Sequence, residues 1–134
     1  MKDVKISYDF KWQRLHWLSL ESCYRNSAYF EYYEDELAPF YHKKTEFLFD
    51  YNIELLQWIF KQLKKTPELN FTTEYIKELE PGKDYRVKNL FKDSSLTKPA
   101  KPYYQVFEER IGFLPNMSIV DLLFNQGPQA KNYL

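Results

Sequence analysis

The chain has 134 residues, with 19 Lys and Arg against 19 Asp and Glu and a pI near 6.7. That length suits one domain, and the balanced charge argues against a general nucleic-acid binder, which needs a basic excess to displace counterions from phosphate. Aromatic residues make up 19% of the chain and mean hydropathy is -0.64, so the core must be built largely from rings beneath a polar surface.

The opening residues MKDVKISYDF contain no apolar signal region, and no run in the chain is long enough to cross a bilayer, so the expected location is cytoplasmic with no membrane insertion. Val4, Ile6 and Tyr8 alternate with polar residues, the period of a half-buried β-strand. A lone strand needs neighbours for its amides, and the only other strand signal is the weak one at Tyr85 to Val87. Residues 4–8 are therefore expected to pair with a sheet from outside the chain or with a second copy in a homodimer.

Lys11 to Tyr24 reads as a helix with Asp9 as its cap. Trp12, Leu15, His16 and Leu18 share one side, and Trp17, Leu20 and Tyr24 widen the apolar surface, so much of this helix should be covered. Cys23 is the single cysteine, which excludes an internal disulfide; it fits a reducing compartment and reads as a small buried apolar residue. Asn26 or Ser27 caps a second helix from Ala28, with Phe30, Tyr33 and Leu37 inward, Glu31, Glu34, Asp35 and Glu36 outward, and Pro39 kinking or ending it near Tyr41.

Asp50 caps the strongest helix, Tyr51 to Lys64, with Ile53, Leu56, Ile59, Phe60 and Leu63 inward and Gln57 and Lys61 outward. Lys61, Lys64 and Lys65 suit its negative end, and Pro67 closes it. A short helix follows from Thr72 to Leu79, then a turn at 80–84 and a polar surface loop at 88–102 that could serve as a lid. Tyr103 to Ile111 is expected as a short helix stopped by Gly112. In the stretch LPNMSIVDLLFNQGP, Asn116 and Ser118 can accept from free amides, and Ser118 with Asp121 forms a capping pair. Ile119 to Phe124 leave almost no polar face, so the helix at 118–126 should be buried, with Asn125 near its end and Gly127 in a left-handed cap before Pro128.

Standard local chemistry is missing. Two histidines and one cysteine are too few for a closed zinc site, so no metal is expected. Three glycines exclude a P-loop and a GxGxxG turn, no GxSxG elbow occurs, and no cofactor is indicated. What remains are polar residues in apolar surroundings. His16 reads either as a core histidine or as an acid–base group, and Arg14 and Arg25 either as salt-bridge partners or as a fork for phosphate or carboxylate. Tyr103 and Tyr104 either pack or stack on a sugar or base, and Asn116 is a cap that could also touch substrate.

Five stretches, KWQRLHW at 11–17, YRNSAYFEYYEDELAPFY at 24–41, FLFDYNIELLQ at 47–57, YYQVF at 103–107 and FLPNMSIVDLLFNQGP at 113–128, together resemble the WbqC-like family in order and spacing. Members of that family are encoded among genes for bacterial O-antigen and other surface polysaccharides. They typically carry an additional N-terminal region that opens with a strand and an aromatic-proline turn. The resemblance implies that residues 1–134 are a single partial domain: a mainly α portion of an α/β parent, with one N-terminal β-strand. It also implies a role in O-antigen, capsule or lipopolysaccharide synthesis, as a transferase or modifying enzyme acting on a nucleotide-linked sugar. The resemblance assigns no catalytic residue; from the residues themselves, Arg14 and Arg25 are expected to hold phosphate, His16 to move a proton and Tyr103 or Tyr104 to stack. The alternatives are a non-catalytic assembly partner in the same pathway and an inactive truncated remnant.

Overall fold

A computed structural model describes residues 2–79 and 101–134, and the architecture among them is helical. Helix α1 spans Trp12–Tyr24, α2 Phe30–His42, α3 Leu48–Gln62, α4 Glu108–Ile111 and α5 Ile119–Gln126, followed by a 3-10 helix at Gly127–Tyr133. Helix α1 packs on α2, α2 on α5, and α5 on the 3-10 helix. None of the described helices is long and apolar enough to cross a membrane.

Rings build the core, as the composition requires. Phe124 on α5 is fully enclosed, edge-to-face with Tyr24 at 5.0 Å and Phe30 at 5.2 Å and tilted against Tyr33 at 6.4 Å. Tyr33 passes the contact to Trp58 of α3 at 6.0 Å, and Phe40 joins Trp58 to Tyr51. The three long helices thus meet through one chain of ring contacts rather than through aliphatic ridges. The Tyr29 amide, at the entrance to α2, donates to the Phe124 carbonyl at 2.9 Å and fixes α5 against that entrance.

The expected N-terminal strand is not formed. Residues 4–8 instead make one isolated antiparallel bridge, Lys5 opposite Phe47, within the same chain. The Ile6 amide donates to Glu46 O at 3.0 Å and the Leu48 amide to Val4 O at 2.9 Å. Extension stops there because Leu48 already begins α3. The Tyr8 hydroxyl donates to the Thr45 carbonyl and accepts from the Thr45 amide, both at 2.9 Å, and so closes the other end of this contact.

Helix α1 has the expected bounds but a different inward face. Trp17 is buried, with Leu20 and Tyr24 packed on the core, while Leu15 and Leu18 remain 46% and 45% exposed. The helix is apolar on several sides, so spacing alone cannot choose the buried one. Cys23 is exposed rather than buried. Asp9 does not cap α1; it accepts from the Ser7 hydroxyl. Neither Asn26 nor Ser27 caps α2, since Ser27 Oγ turns back to the Tyr24 carbonyl at 2.7 Å. Helix α2 continues through the exposed Pro39 to His42, because the carbonyl left without a helical donor is that of the exposed Asp35.

Helix α3 starts at Leu48, so Asp50 sits in its first turn instead of capping it. Residues 72–79 are not helical, and of 103–111 only Glu108–Ile111 is α-helix. The turn at 80–84, the weak strand at 85–87 and the loop at 88–100 lie outside the described residues.

Two substitutions test this packing. Gly127 has φ +53°, and a Cβ there would fall 2.6 Å from Tyr29 Cγ. Gly127→Ala should therefore cost about 2 kcal/mol or more, read as a lower denaturant midpoint with unchanged m-value. Phe124→Ala empties the centre of the ring cluster and should cost about 3–5 kcal/mol in the same assay.

Candidate functional site

Among the described residues, polar groups meet apolar walls in more than one place. The first is a buried polar cluster at the start of α5. Asp121 is 5% exposed; its Oδ2 accepts from the Tyr103 hydroxyl at 2.6 Å and from Gln105 Nε2 at 3.3 Å. Gln105 Nε2 also donates to the Leu114 carbonyl, and its Oε1 accepts from the Leu114 amide, both at 2.8 Å. This side chain serves Leu114 as a neighbouring strand would, and 103–107 is not helical: its last two residues form a turn into α4. Asn125 Nδ2 donates to the Asp121 carbonyl at 2.8 Å, and its Oδ1 is buried without a partner.

The carboxylate shapes its neighbours. Burial, and then the bond to Asp121, push the Tyr103 hydroxyl up to about 12. Burial and the adjacent Asp121 charge raise Tyr24 further still.

The capping pair expected at Ser118 and Asp121 is not made. Ser118 occupies the N-cap position, but its side chain makes no cap bond, and Asp121 turns inward to Tyr103 instead of back along the helix. Asn116 is exposed at φ +58°, a conformation asparagine tolerates. Gly127 takes a positive φ, and Pro128 lies in the first turn of the following 3-10 helix instead of ending the helical path.

The other sequence-derived residues do not gather here. Arg25 places its guanidinium fork on Glu34 at 2.7 and 2.9 Å and on Glu21 at 2.8 Å, and lies 4.8 Å over the Phe30 ring. His16 is exposed, edge-on to Trp12 at 5.4 Å. Arg14 lies in an open hollow with Asp9, Phe10, Lys11, Leu15 and Leu18. Tyr104 is exposed. Among the described residues no hydrogen bond or ion pair links Arg14, His16 or Arg25 to Tyr103 or Tyr104, and no three metal-ligating side chains converge.

The second place is an open groove of about 770 Å³ between α3 and residues 64–71. Ile53, Phe60, Leu69 and Phe71 give it an apolar floor, and Gln57, Lys61, Lys64 and Lys65 bring polar heads to it. Phe71 is held against Phe49 of α3, edge-on at 5.5 Å. Ile53 and Phe60, expected inward, line this groove; Tyr51 and Trp58 take the buried positions, while Leu63 is buried as expected.

Lys61 is engaged by Glu36 at 2.9 Å, in a clasp where Glu36 also accepts from Trp58 Nε1 and Gln62 Nε2. Lys64 and Lys65 make no ion pair among the described residues. Size, apolar lining and a few convergent polar groups are the usual attributes of a small-molecule site. The sequence signal for it was the triple lysine at a helix end, which the macrodipole also accounts for.

Alkaline titration tests the buried hydroxyls. Tyr33, Tyr51 and Tyr103 each rise from 10.0 to about 12 on folding, so the stability they contribute is whole below pH 10 and is lost as pH climbs through about 12. Denaturant midpoints should fall over that window, with phenolate absorbance from these residues appearing only near its upper end. Tyr103→Phe should cost about 1–3 kcal/mol, because it strips a bond from a buried carboxylate; an unchanged midpoint would show that the cluster does not hold α5.

A protein of Mycobacterium tuberculosis (strain ATCC 25618 / H37Rv), the uncharacterised Rv1507c, is 33% identical over 153 residues, covering 92% of this chain and 64% of that protein. The chain thus spans less than two thirds of the length of this relative. No solved structure matches. A family model described as the WbqC-like protein family matches residues 1–98 and 74–133. The chain belongs to the WbqC-like protein family.

Proposed function

We propose that the chain is part of a protein of bacterial surface-polysaccharide synthesis and binds a nucleotide-linked sugar in the groove along α3. The pathway rests on the family resemblance, whose members are encoded among genes for such polymers. The observation that carries the ligand is the pairing of an apolar floor with two ammonium groups, Lys64 and Lys65, that make no ion pair among the described residues. Phe60 and Phe71 suit the flat base, and the lysines suit the diphosphate.

Lys64 and Lys65 replace Arg25 in the phosphate role, because Glu21 and Glu34 fill the Arg25 fork. His16 and Arg14 stand apart from this groove, and any proton transfer by His16 belongs to a face completed by other residues of the full-length protein. In this reading residues 1–134 are a partial domain.

A thermal-shift panel of UDP-, GDP- and dTDP-linked sugars tests the proposal. At least one should raise Tm by mass action, and Lys65→Ala should abolish most of that rise. No shift with any member of the panel ends the ligand assignment.

An assembly role is the second reading, favoured by the apolar face of Phe10, Leu15 and Leu18, which are 66%, 46% and 45% exposed. It expects Leu15→Glu with Leu18→Glu to leave Tm and sugar binding unchanged while releasing a copurifying pathway protein; retention of that protein by the double variant argues against it.

A further inference from the structure

We infer that Lys64 is the specificity-determining residue of the α3 groove: its backbone is held in a left-handed conformation that presents its ammonium, beside that of Lys65, to a diphosphate. The inference rests on the groove being the ligand site proposed above. Helix α3 closes with two crossed bonds, Lys65 N to Phe60 O at 2.9 Å and Lys64 N to Lys61 O at 3.0 Å. This is the closure whose central residue is usually glycine, since it requires positive φ. Lys64 sits there at φ +53°.

Elsewhere the described positive-φ positions hold Gly112, Gly127 and Asn116, residue types suited to that region. Lys64 is the exception, and a β-carbon at that position is a standing cost to folding. Complementing the helix dipole does not explain it. Lys61 already lies in the last turn and Lys65 follows, so a glycine at 64 would leave two cations at the helix end.

A glycine would, however, remove one of the two groove ammonium groups that make no ion pair among the described residues. Lys61 cannot take its place, because Glu36 holds it at 2.9 Å. Two adjacent free positive charges match a diphosphate better than a monoanion, and the Phe60 and Phe71 walls add room for a nucleoside. Strain kept at a binding residue is the usual trade of stability for recognition.

Isothermal titration of the whole chain with inorganic pyrophosphate and with UDP-, GDP- and dTDP-linked sugars tests this, alongside thermal melts. Lys64→Gly should raise Tm by roughly 2–4 °C and weaken pyrophosphate binding roughly tenfold, while Lys131→Ala, at an exposed position of the 3-10 helix, changes neither. Equal affinity of wild type and Lys64→Gly, or a lower Tm for Lys64→Gly, overturns the inference and leaves the groove assignment in place. Pyrophosphate binding that Lys64→Gly weakens, with no binding of any of these sugars, sustains the inference and removes the nucleotide-sugar reading. Absence of wild-type binding to pyrophosphate and to every sugar overturns both.

Discussion

The enclosure of Phe124 is the constraint on which the rest of the structure depends. Its ring is in contact with Tyr24 of α1 and with Phe30 and Tyr33 of α2, and its carbonyl takes the Tyr29 amide. A short helix of eight residues has little stability of its own, so α5 exists because this pocket receives it. Everything attached to α5 inherits that placement: Asp121 is delivered to Tyr103 and Gln105, and Gly127 is pressed against Tyr29. Ring edges meeting ring faces fix orientation more tightly than aliphatic contacts do, which lets a small aromatic core hold three long helices.

Much of the helical content was legible in the sequence, because apolar spacing and breakers are local signals. The bounds of α1, α2, α3 and α5 lie within a few residues of expectation. What local patterning misjudged is instructive. Helix α1 offers two apolar sides, and which one is buried depends on where Phe30 and Phe124 stand, a fact of tertiary structure. Residues 103–107 have helical composition but are not helical, since Gln105 gains three hydrogen bonds to Leu114 and Asp121 that a helix would forgo. The alternation at residues 4–8 is real, yet its partner turns into α3 after a single bridge. The segment is held instead by its bonds to Glu46 and Leu48 within the chain.

The candidate sites were less legible. Tyr103 and Asp121 were both singled out, but for separate roles, one as a stacking ring and the other as a helix cap. Their 2.6 Å bond spans eighteen positions of sequence and leaves no periodic trace. Gln105 carried no signal beyond being one polar residue in an aromatic run. The lysines ending α3 were visible, though as dipole partners, because the residues that make a groove beneath them, Leu69 and Phe71, belong to a segment expected to end one helix and start another. Arg25 shows the opposite case: an arginine between acidic helices that satisfies its neighbours and has no fork to spare.

The placement of the three tryptophans has a practical consequence. Trp17 and Trp58 are buried at different points of the ring network, Trp17 against Phe30 and Tyr41, Trp58 against Tyr33 and Phe40. Trp12 stands half outside, its indole nitrogen on the Ser7 carbonyl. The chain thus carries its own optical reporters, two for the integrity of the core and one for the contact between the opening segment and α1, so intrinsic emission can separate loosening at that edge from loss of the whole fold.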